Sequence, residues 1–252
     1  MNNHDARWLI DIGNTRIKCA LCDARGVRGP VQAFAHERTD AIAALLTHLQ
    51  QNDARAEVWL ASVAPAKITD AVDAALRENG YRVHRVRTMA QCGRLRIAYN
   101  EPTRLGVDRF LALLAASARD DGPWLIVSAG SALTVDLLDI GGEHLGGLIA
   151  PTAEHMRAAL AQRFPQLDLP EGRAHEFAGN SADAIASGAN AATLGLVERS
   201  LESARKKLGT MPTLLITGGG AAVFDTLDHP RIVKLPALVL DGLAILARQG
   251  GD

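Results

Sequence analysis

The feature that most constrains this chain is an echo between its two halves. Leu9-Ile10-Asp11-Ile12-Gly13-Asn14-Thr15 and Ile126-Val127-Ser128-Ala129-Gly130-Ser131-Ala132 share one plan: apolar strand, small polar residue, Gly turn, hydroxyl or amide, second strand. The flanking runs read as strand pairs, Trp8 to Asp11 with Arg16 to Cys22, and Trp124 to Val127 with Leu133 to Ile140. The two segments lie roughly half the chain apart, which hints at two similar halves. A Gly-containing turn at the end of a buried strand can also present backbone N–H groups to phosphate oxygens. Two such turns facing one another would hold a triphosphate tail from both sides.

Between and after these pairs, strands and helices alternate. Ile42, Leu45, Leu46 and Leu49 have helical spacing, with Thr39 or Asp40 available as a cap. Glu57 to Val63 reads as a strand, followed by a helix from about Pro65 with Ile68, Val72, Ala75 and Leu76 inward and Gly80 as its stop. Tyr81 to Val86 is a further strand, and Val107 to Ala118 a helix with Phe110, Leu111 and Leu114 on its core face. In the second half Leu145 to Ile149 is a strand, and Pro151-Thr152 opens a helix that Pro165 ends. A long helix runs from about Ala182 to Leu208, with Gly209 beyond it. Thr213 to Ile216 is a strand leading into Gly218-Gly219-Gly220, Ile232 to Leu235 a short strand, and Ala237 to Ala247 the last helix.

Composition removes several classes of function. Twenty-seven Lys and Arg against 28 Asp and Glu leave a net charge of −1, with no block of one sign. A basic face for nucleic acid or acidic lipid is therefore not expected. Aromatics make up only 4 %, too few for base-stacking platforms. No signal peptide or membrane span is expected, since the late apolar stretch is short and contains Asp241. Three cysteines fit a reducing cytoplasm; Cys19 and Cys22 lie three apart on a strand, on opposite faces, and read as packing residues rather than a metal clip.

The chemistry-bearing segments are short. In Asp11 to Lys18, Gly13 permits close approach of an anion and Asn14 and Thr15 carry short polar side chains. Asp11 can hold Mg²⁺ directly or through water, and Lys18 can neutralise phosphate. The same residues also make an ordinary hairpin turn. In Leu105-Gly106-Val107-Asp108-Arg109-Phe110, Asp108 falls in the first turn of a helix, where the dipole favours an ionised carboxylate. An ionised Asp aimed at a hydroxyl suits phosphoryl transfer, and Arg109 suits a carboxylate or phosphoryl group. Helix capping with a local ion pair accounts for that spacing equally. No G-x-x-x-x-G-K-[ST] or G-x-G-x-x-G occurs, so neither a P-loop nor a dinucleotide fold is supported. Gly179-Asn180-Ser181 lacks the closing Gly of a nucleophile elbow, and His144 and His155 are too isolated to suggest zinc.

Taken in order, the motifs resemble type III pantothenate kinases over residues 9 to about 244. They are Asp11-Ile12-Gly13-Asn14-Thr15, Tyr99 with Pro102, Gly106-Val107-Asp108-Arg109, and Ser128-Ala129-Gly130-Ser131-Ala132 with Thr134 and Asp136. Gly146-Gly147-Leu148-Ile149-Ala150-Pro151, Asn180-Ser181 with Ala184-Ile185, and Thr217-Gly218-Gly219 complete the set. The resemblance implies an α/β fold of the acetate and sugar kinase, Hsp70 and actin superfamily. Two ribonuclease-H-like halves with mixed β-sheets flanked by helices, residues 1–118 and 119–252, would hold ATP in the cleft between them. It implies ATP-dependent phosphorylation of pantothenate by a cytoplasmic homodimer. Asp108 would accept the proton of the pantothenate hydroxyl. Asp11, Ile12, Gly13, Asn14, Thr15, Arg16, Ile17, Lys18, Ser131, Gly218 and Gly219 would bind ATP with Mg²⁺. Tyr99, Gly106, Val107, Asp108, Arg109 and Ser181 would bind pantothenate, Ser181 near the dimer interface.

The chain departs from the family pattern in places. Ser128 stands where the family usually carries Asp as a ligand for activating K⁺ or NH₄⁺. A neutral hydroxyl binds a monovalent cation less strongly, so the expectation is a kinase with an altered cation site. Ser131 and Ser181 replace Thr and keep the hydroxyl; Thr152 replaces Gly, and Gly220 replaces an acidic or amide residue. Two rivals are a regulatory protein of the same fold, transcription-related and without turnover, and a kinase for another small hydroxy acid. Retention of Asp11, Asp108 and Arg109 argues against the first.

Overall fold

The computed structural model describes residues 6–36, 40–52, 57–119, 121–164 and 172–250; the caps and stops expected at Thr39 and Pro165 lie outside them. The chain divides into two compact units. The first comprises Met1–Asp120, Gly141–His144 and Ala237–Asp252, and the second Asp121–Ile140 and Leu145–Pro236.

The first unit is built on β1 (Arg7–Ile12), β2 (Arg16–Cys22), β3 (Gln32–Ala35), β4 (Glu57–Ser62) and β5 (Arg82–Arg85), with α1 (Ala41–Gln50) and α2 (Ala66–Glu78) between them. Its sheet order is β3-β2-β1-β4-β5. β1, β2 and β3 pair antiparallel, whereas β1, β4 and β5 pair parallel. Alternation along β1 turns Trp8, Ile10 and Ile12 to one face, against Leu45 and Leu49 of α1 and Val72 and Leu76 of α2. After β5 the chain makes a small hairpin, β6 (Gln91–Cys92) and β7 (Leu95–Arg96), and then α3 (Val107–Ser117).

The second unit repeats this order. β8 (Trp124–Ala129), β9 (Leu133–Leu138), β10 (His144–Ala150), β11 (Thr213–Thr217) and β12 (Ile232–Lys234) lie in the order β10-β9-β8-β11-β12. β8 pairs antiparallel with β9 and parallel with β11, which is in turn parallel to β12. The echo in sequence is thus one sheet topology used twice. Between β10 and β11 lie α4 (Ala153–Arg163) and α5 (Ser181–Leu208). Leu125, Val127 and Ala129 of β8 and Leu133 and Val135 of β9 pack against Val197, Leu201 and Ala204 of α5.

Besides a boundary at 120/121 in place of 118/119, the expected division differs from the observed units in two places. The last helix, α6 (Leu238–Gln249), clusters with the first unit, packing on α3 and against β1. Gly242 explains the fit: a Cβ there would run into the Leu111 carbonyl oxygen of α3, so only Gly lets the two helices approach this closely. The strap Gly141–His144, which includes the first residue of β10, also belongs to the first unit, although β9 and the rest of β10 belong to the second. β3 and the β6–β7 hairpin carry no sequence signal, the former being a half-exposed edge and the latter having two-residue strands. After β11 the chain runs through the three glycines into a 3₁₀ segment, Ala221–Thr226. Cys19 and Cys22 are both buried and unbridged, and burial pushes their thiols up to about 12 and about 11.

Candidate functional site

The residues expected to carry the chemistry fall into two groups, one in each unit. In the first, β1 runs buried to Ile12 and the chain turns through residues 13–16, closed by Gly13 N–H donating to Arg16 O at 3.0 Å. Ile12 and Ile17 are core side chains, 0 % and 1 % exposed, so their share in ligand binding is limited to backbone groups. Asn14, Thr15 and Arg16 are exposed at the tip. Asp11 sits one residue before the strand end, buried and directly across from Lys18 of β2. Burial pushes its carboxyl up to about 6; Lys18 pulls it down and the Asp108 carboxylate pushes it further up. Asp11 and Asp108, far apart in sequence, therefore belong to one electrostatic site. A buried carboxylate whose charge is costly, within the field of a second one, fits a divalent cation, which would remove the cost of both.

Asp108 occupies the first turn of α3, and its Oδ1 accepts from Arg109 N–H at 2.8 Å, where the free N–H groups of a helix start favour an anion. The preceding loop is fixed by the buried Thr88 hydroxyl, which donates to Leu105 O at 2.7 Å. Arg109 is 6 % exposed; its Nη1 donates to the Tyr99 hydroxyl at 3.0 Å, and its guanidinium carbon lies 5.7 Å from the Tyr99 ring centre. Tyr99, Gly106, Asp108 and Arg109 are thereby gathered with Asp11 and Lys18 in one unit, while Val107 is turned into the core.

In the second unit the corresponding turn is closed by Gly130 N–H donating to Ala132 O at 3.0 Å, with Ser131 half-buried in it. The triple glycine is locked against the same place, since Gly220 N–H donates to Ala129 O at 3.0 Å. Gly218 has φ +92°, and a Cβ there would collide with the Ala129 carbonyl oxygen; Gly is required on both counts. Gly219, by contrast, faces open space. Ser131 and Gly218-Gly219 thus lie together at the end of β8.

Ser128 lies directly opposite Thr134 on β9 and Thr217 on β11. Registered neighbours share a face, so three hydroxyls form a row across the sheet, with Asp136 two residues further along β9 on that face. Thr134 and Thr217 gain this meaning only from the strand register, which the sequence does not reveal. Among the described residues no cluster of three or more His, Cys, Asp or Glu could hold a metal ion. Ser181 is exposed at the start of α5, whose N-cap is Asn180: its side-chain oxygen accepts from Asp183 N–H at 2.9 Å. The Arg173 backbone N–H and the Asn180 amide hold the Asp183 carboxyl below its usual range. A cavity of about 450 Å³ in the second unit, under α5 and edged by Arg199 and Lys207, contains none of these residues.

Sequence comparison identifies the class to which this arrangement belongs. The type III pantothenate kinase family profile matches residues 8–203. A protein named type III pantothenate kinase from Stenotrophomonas maltophilia (strain R551-3) is 45 % identical over 238 residues, covering 94 % of this chain and 95 % of that protein. One of the same name from Xanthomonas campestris pv. campestris (strain B100) is 45 % identical over 243 residues, covering 96 % and 97 %. Among solved structures, a Sinorhizobium meliloti protein described as a 2-dehydro-3-deoxygalactonokinase superposes with a TM-score of 0.63 at 15 % identity, covering 96 % of this chain and 98 % of that one. The last likeness concerns the fold alone, which is the two-sheet α/β fold of sugar kinases and actin-like ATPases. With nearly its whole length matched at this identity, the chain belongs to the type III pantothenate kinase family.

Proposed function

We infer that this chain transfers the γ-phosphoryl group of ATP to the hydroxyl of pantothenate, giving 4'-phosphopantothenate, the first step of coenzyme A synthesis. The observation that carries the reading is the convergence of Asp108, Arg109, Tyr99 and the Asp11–Lys18 turn in one unit of a chain 45 % identical to named relatives. Asp108 orients the hydroxyl and takes its proton as the oxygen–phosphorus bond forms. The bond from the γ-phosphorus to the bridging oxygen breaks, and ADP leaves. Arg109, fixed by Tyr99, pairs with the pantothenate carboxylate. Within the first unit the backbone of Gly13 to Lys18 would hold phosphates, and within the second Ser131 and Gly218-Gly219 would hold nucleotide; Mg²⁺ bound with ATP would supply charge neutralisation, with Asp11 holding it directly or through water. Pantothenate-dependent ADP release, set against other hydroxy acids, tests this assignment.

The monovalent-cation position carries hydroxyls: Ser128 flanked by Thr134 and Thr217. We expect turnover in K⁺ or NH₄⁺ to exceed that in Na⁺ by less than about 3-fold, as neutral oxygens bind a cation less strongly than a carboxylate. Activation by an order of magnitude in the same comparison would contradict this.

The protein is further proposed to be a cytoplasmic homodimer. The unbridged cysteines support the compartment. The dimer is supported by exposed apolar side chains of the second unit, Leu148 and Ile149 on the edge strand β10 and Phe177 at 94 % exposure. Light scattering at micromolar protein should return twice the chain mass; a monomer would remove the proposal.

A further inference from the structure

We propose that His144 is a positioning residue for the substrate end of the site. It holds Tyr99, and through Tyr99 the Arg109 guanidinium; the proposal rests on the assignment of those two residues to pantothenate. His144 is 2 % exposed, and its ring stacks on Tyr99 with centroids 6.1 Å apart and planes 20° from parallel. Tyr99 needs such support. It lies between β7 and α3, outside any helix or strand, and its side chain is half-buried. No backbone ladder fixes its χ angles, so its neighbours must. Arg109 engages the hydroxyl and the ring, and His144 supplies a flat partner.

The strap that delivers His144 is fastened to the same stretch of chain that carries Tyr99. Arg96 N–H donates to Gly142 O at 3.0 Å, the Arg96 guanidinium pairs with Glu143 at 2.8 Å, and Arg96 and Glu143 form a β-bridge. Only Ile97 and Ala98 separate Arg96 from Tyr99 along the chain. The Gly141–His144 strap therefore clusters with the first unit although β9 and β10 from Leu145 onward belong to the second. His144 thus acts on substrate binding through Tyr99, without touching the reacting atoms.

The test compares His144→Leu, which fills the buried space without a stacking ring, with His144→Phe, which restores the ring without imidazole nitrogens. Steady-state kinetics of the full chain should show KM for pantothenate raised about 5- to 10-fold in H144L. Its kcat and its KM for ATP should stay within about 2-fold, and H144F should return the pantothenate KM to near the original value. An unchanged pantothenate KM in H144L, an equal rise in the ATP KM, or an H144F variant as impaired as H144L would overturn the proposal. An independent readout uses ¹³C-labelled tyrosine, since the chain has only two tyrosines, Tyr81 and Tyr99. In H144L the Tyr99 ring signals should shift and those of Tyr81 stay; unmoved Tyr99 signals would refute the stacking role. If the unmodified protein fails to phosphorylate pantothenate, the substrate assignment falls, whereas the tyrosine spectra still decide whether His144 positions Tyr99.

Discussion

Asp108→Asn should lower pantothenate turnover by roughly 10²-fold or more while leaving the thermal midpoint nearly unchanged. Asn has the shape of Asp but accepts no proton, and it forfeits the attraction between a carboxylate and the α3 N-terminus. The half-exposed position of Asp108 means little packing is lost with the charge. On the proposed role of Asp108, acting on the hydroxyl in the transition state, the loss should fall on kcat rather than on KM for ATP. Rate measurements on D108N at saturating ATP check this. Turnover within a few-fold of the unsubstituted enzyme would take Asp108 out of the proton-acceptor role.

Asp11→Asn should abolish most activity and yet make the unliganded protein more stable at neutral pH. The folded protein holds the Asp11 proton more tightly than the unfolded chain does, with the carboxyl pushed up to about 6 from 3.8. A raised acid contributes stability in its protonated form. That contribution is complete below the unfolded value, fades as pH rises through the folded value, and is gone above it. Two pKa units correspond to about 3 kcal/mol as an upper bound, reduced by the Lys18 attraction that Asn gives up. In urea unfolding, the stability advantage of D11N should widen by about 1 kcal/mol between about pH 5 and about pH 8. An advantage that stays flat with pH would mean that Asp11 titrates normally. On the proposed assignment of Asp11 to Mg²⁺, saturating Mg²⁺–ATP should stabilise the unsubstituted protein and not D11N.

Much of the fold is legible in the residues because the two sheets obey strong local rules. The apolar run from Trp8, the Gly turns at Gly13 and Gly130, and Gly209 at the end of α5 each dictate their own element. The parts that escape are those decided by tertiary contact. β3 is a strand only because β2 offers it an edge, and the final helix joins the first unit because Gly242 admits the Leu111 carbonyl. The site divides in the same way. Asp11, Asp108 and the glycines announce themselves in short motifs. Residues that work through neighbours, Thr88 beneath the Gly106 loop, Thr134 and Thr217 beside Ser128, and His144 against Tyr99, depend on register and loop path. No periodicity encodes them.

The direct test of the central claim is ADP release by the purified protein with millimolar ATP and Mg²⁺, comparing pantothenate with other small hydroxy acids. The account predicts ADP formation that depends on pantothenate, with 4'-phosphopantothenate as the product and the other acids at background. No pantothenate-dependent turnover would contradict it and favour a regulatory protein of the same fold, while turnover confined to a different hydroxy acid would keep the kinase and replace its substrate.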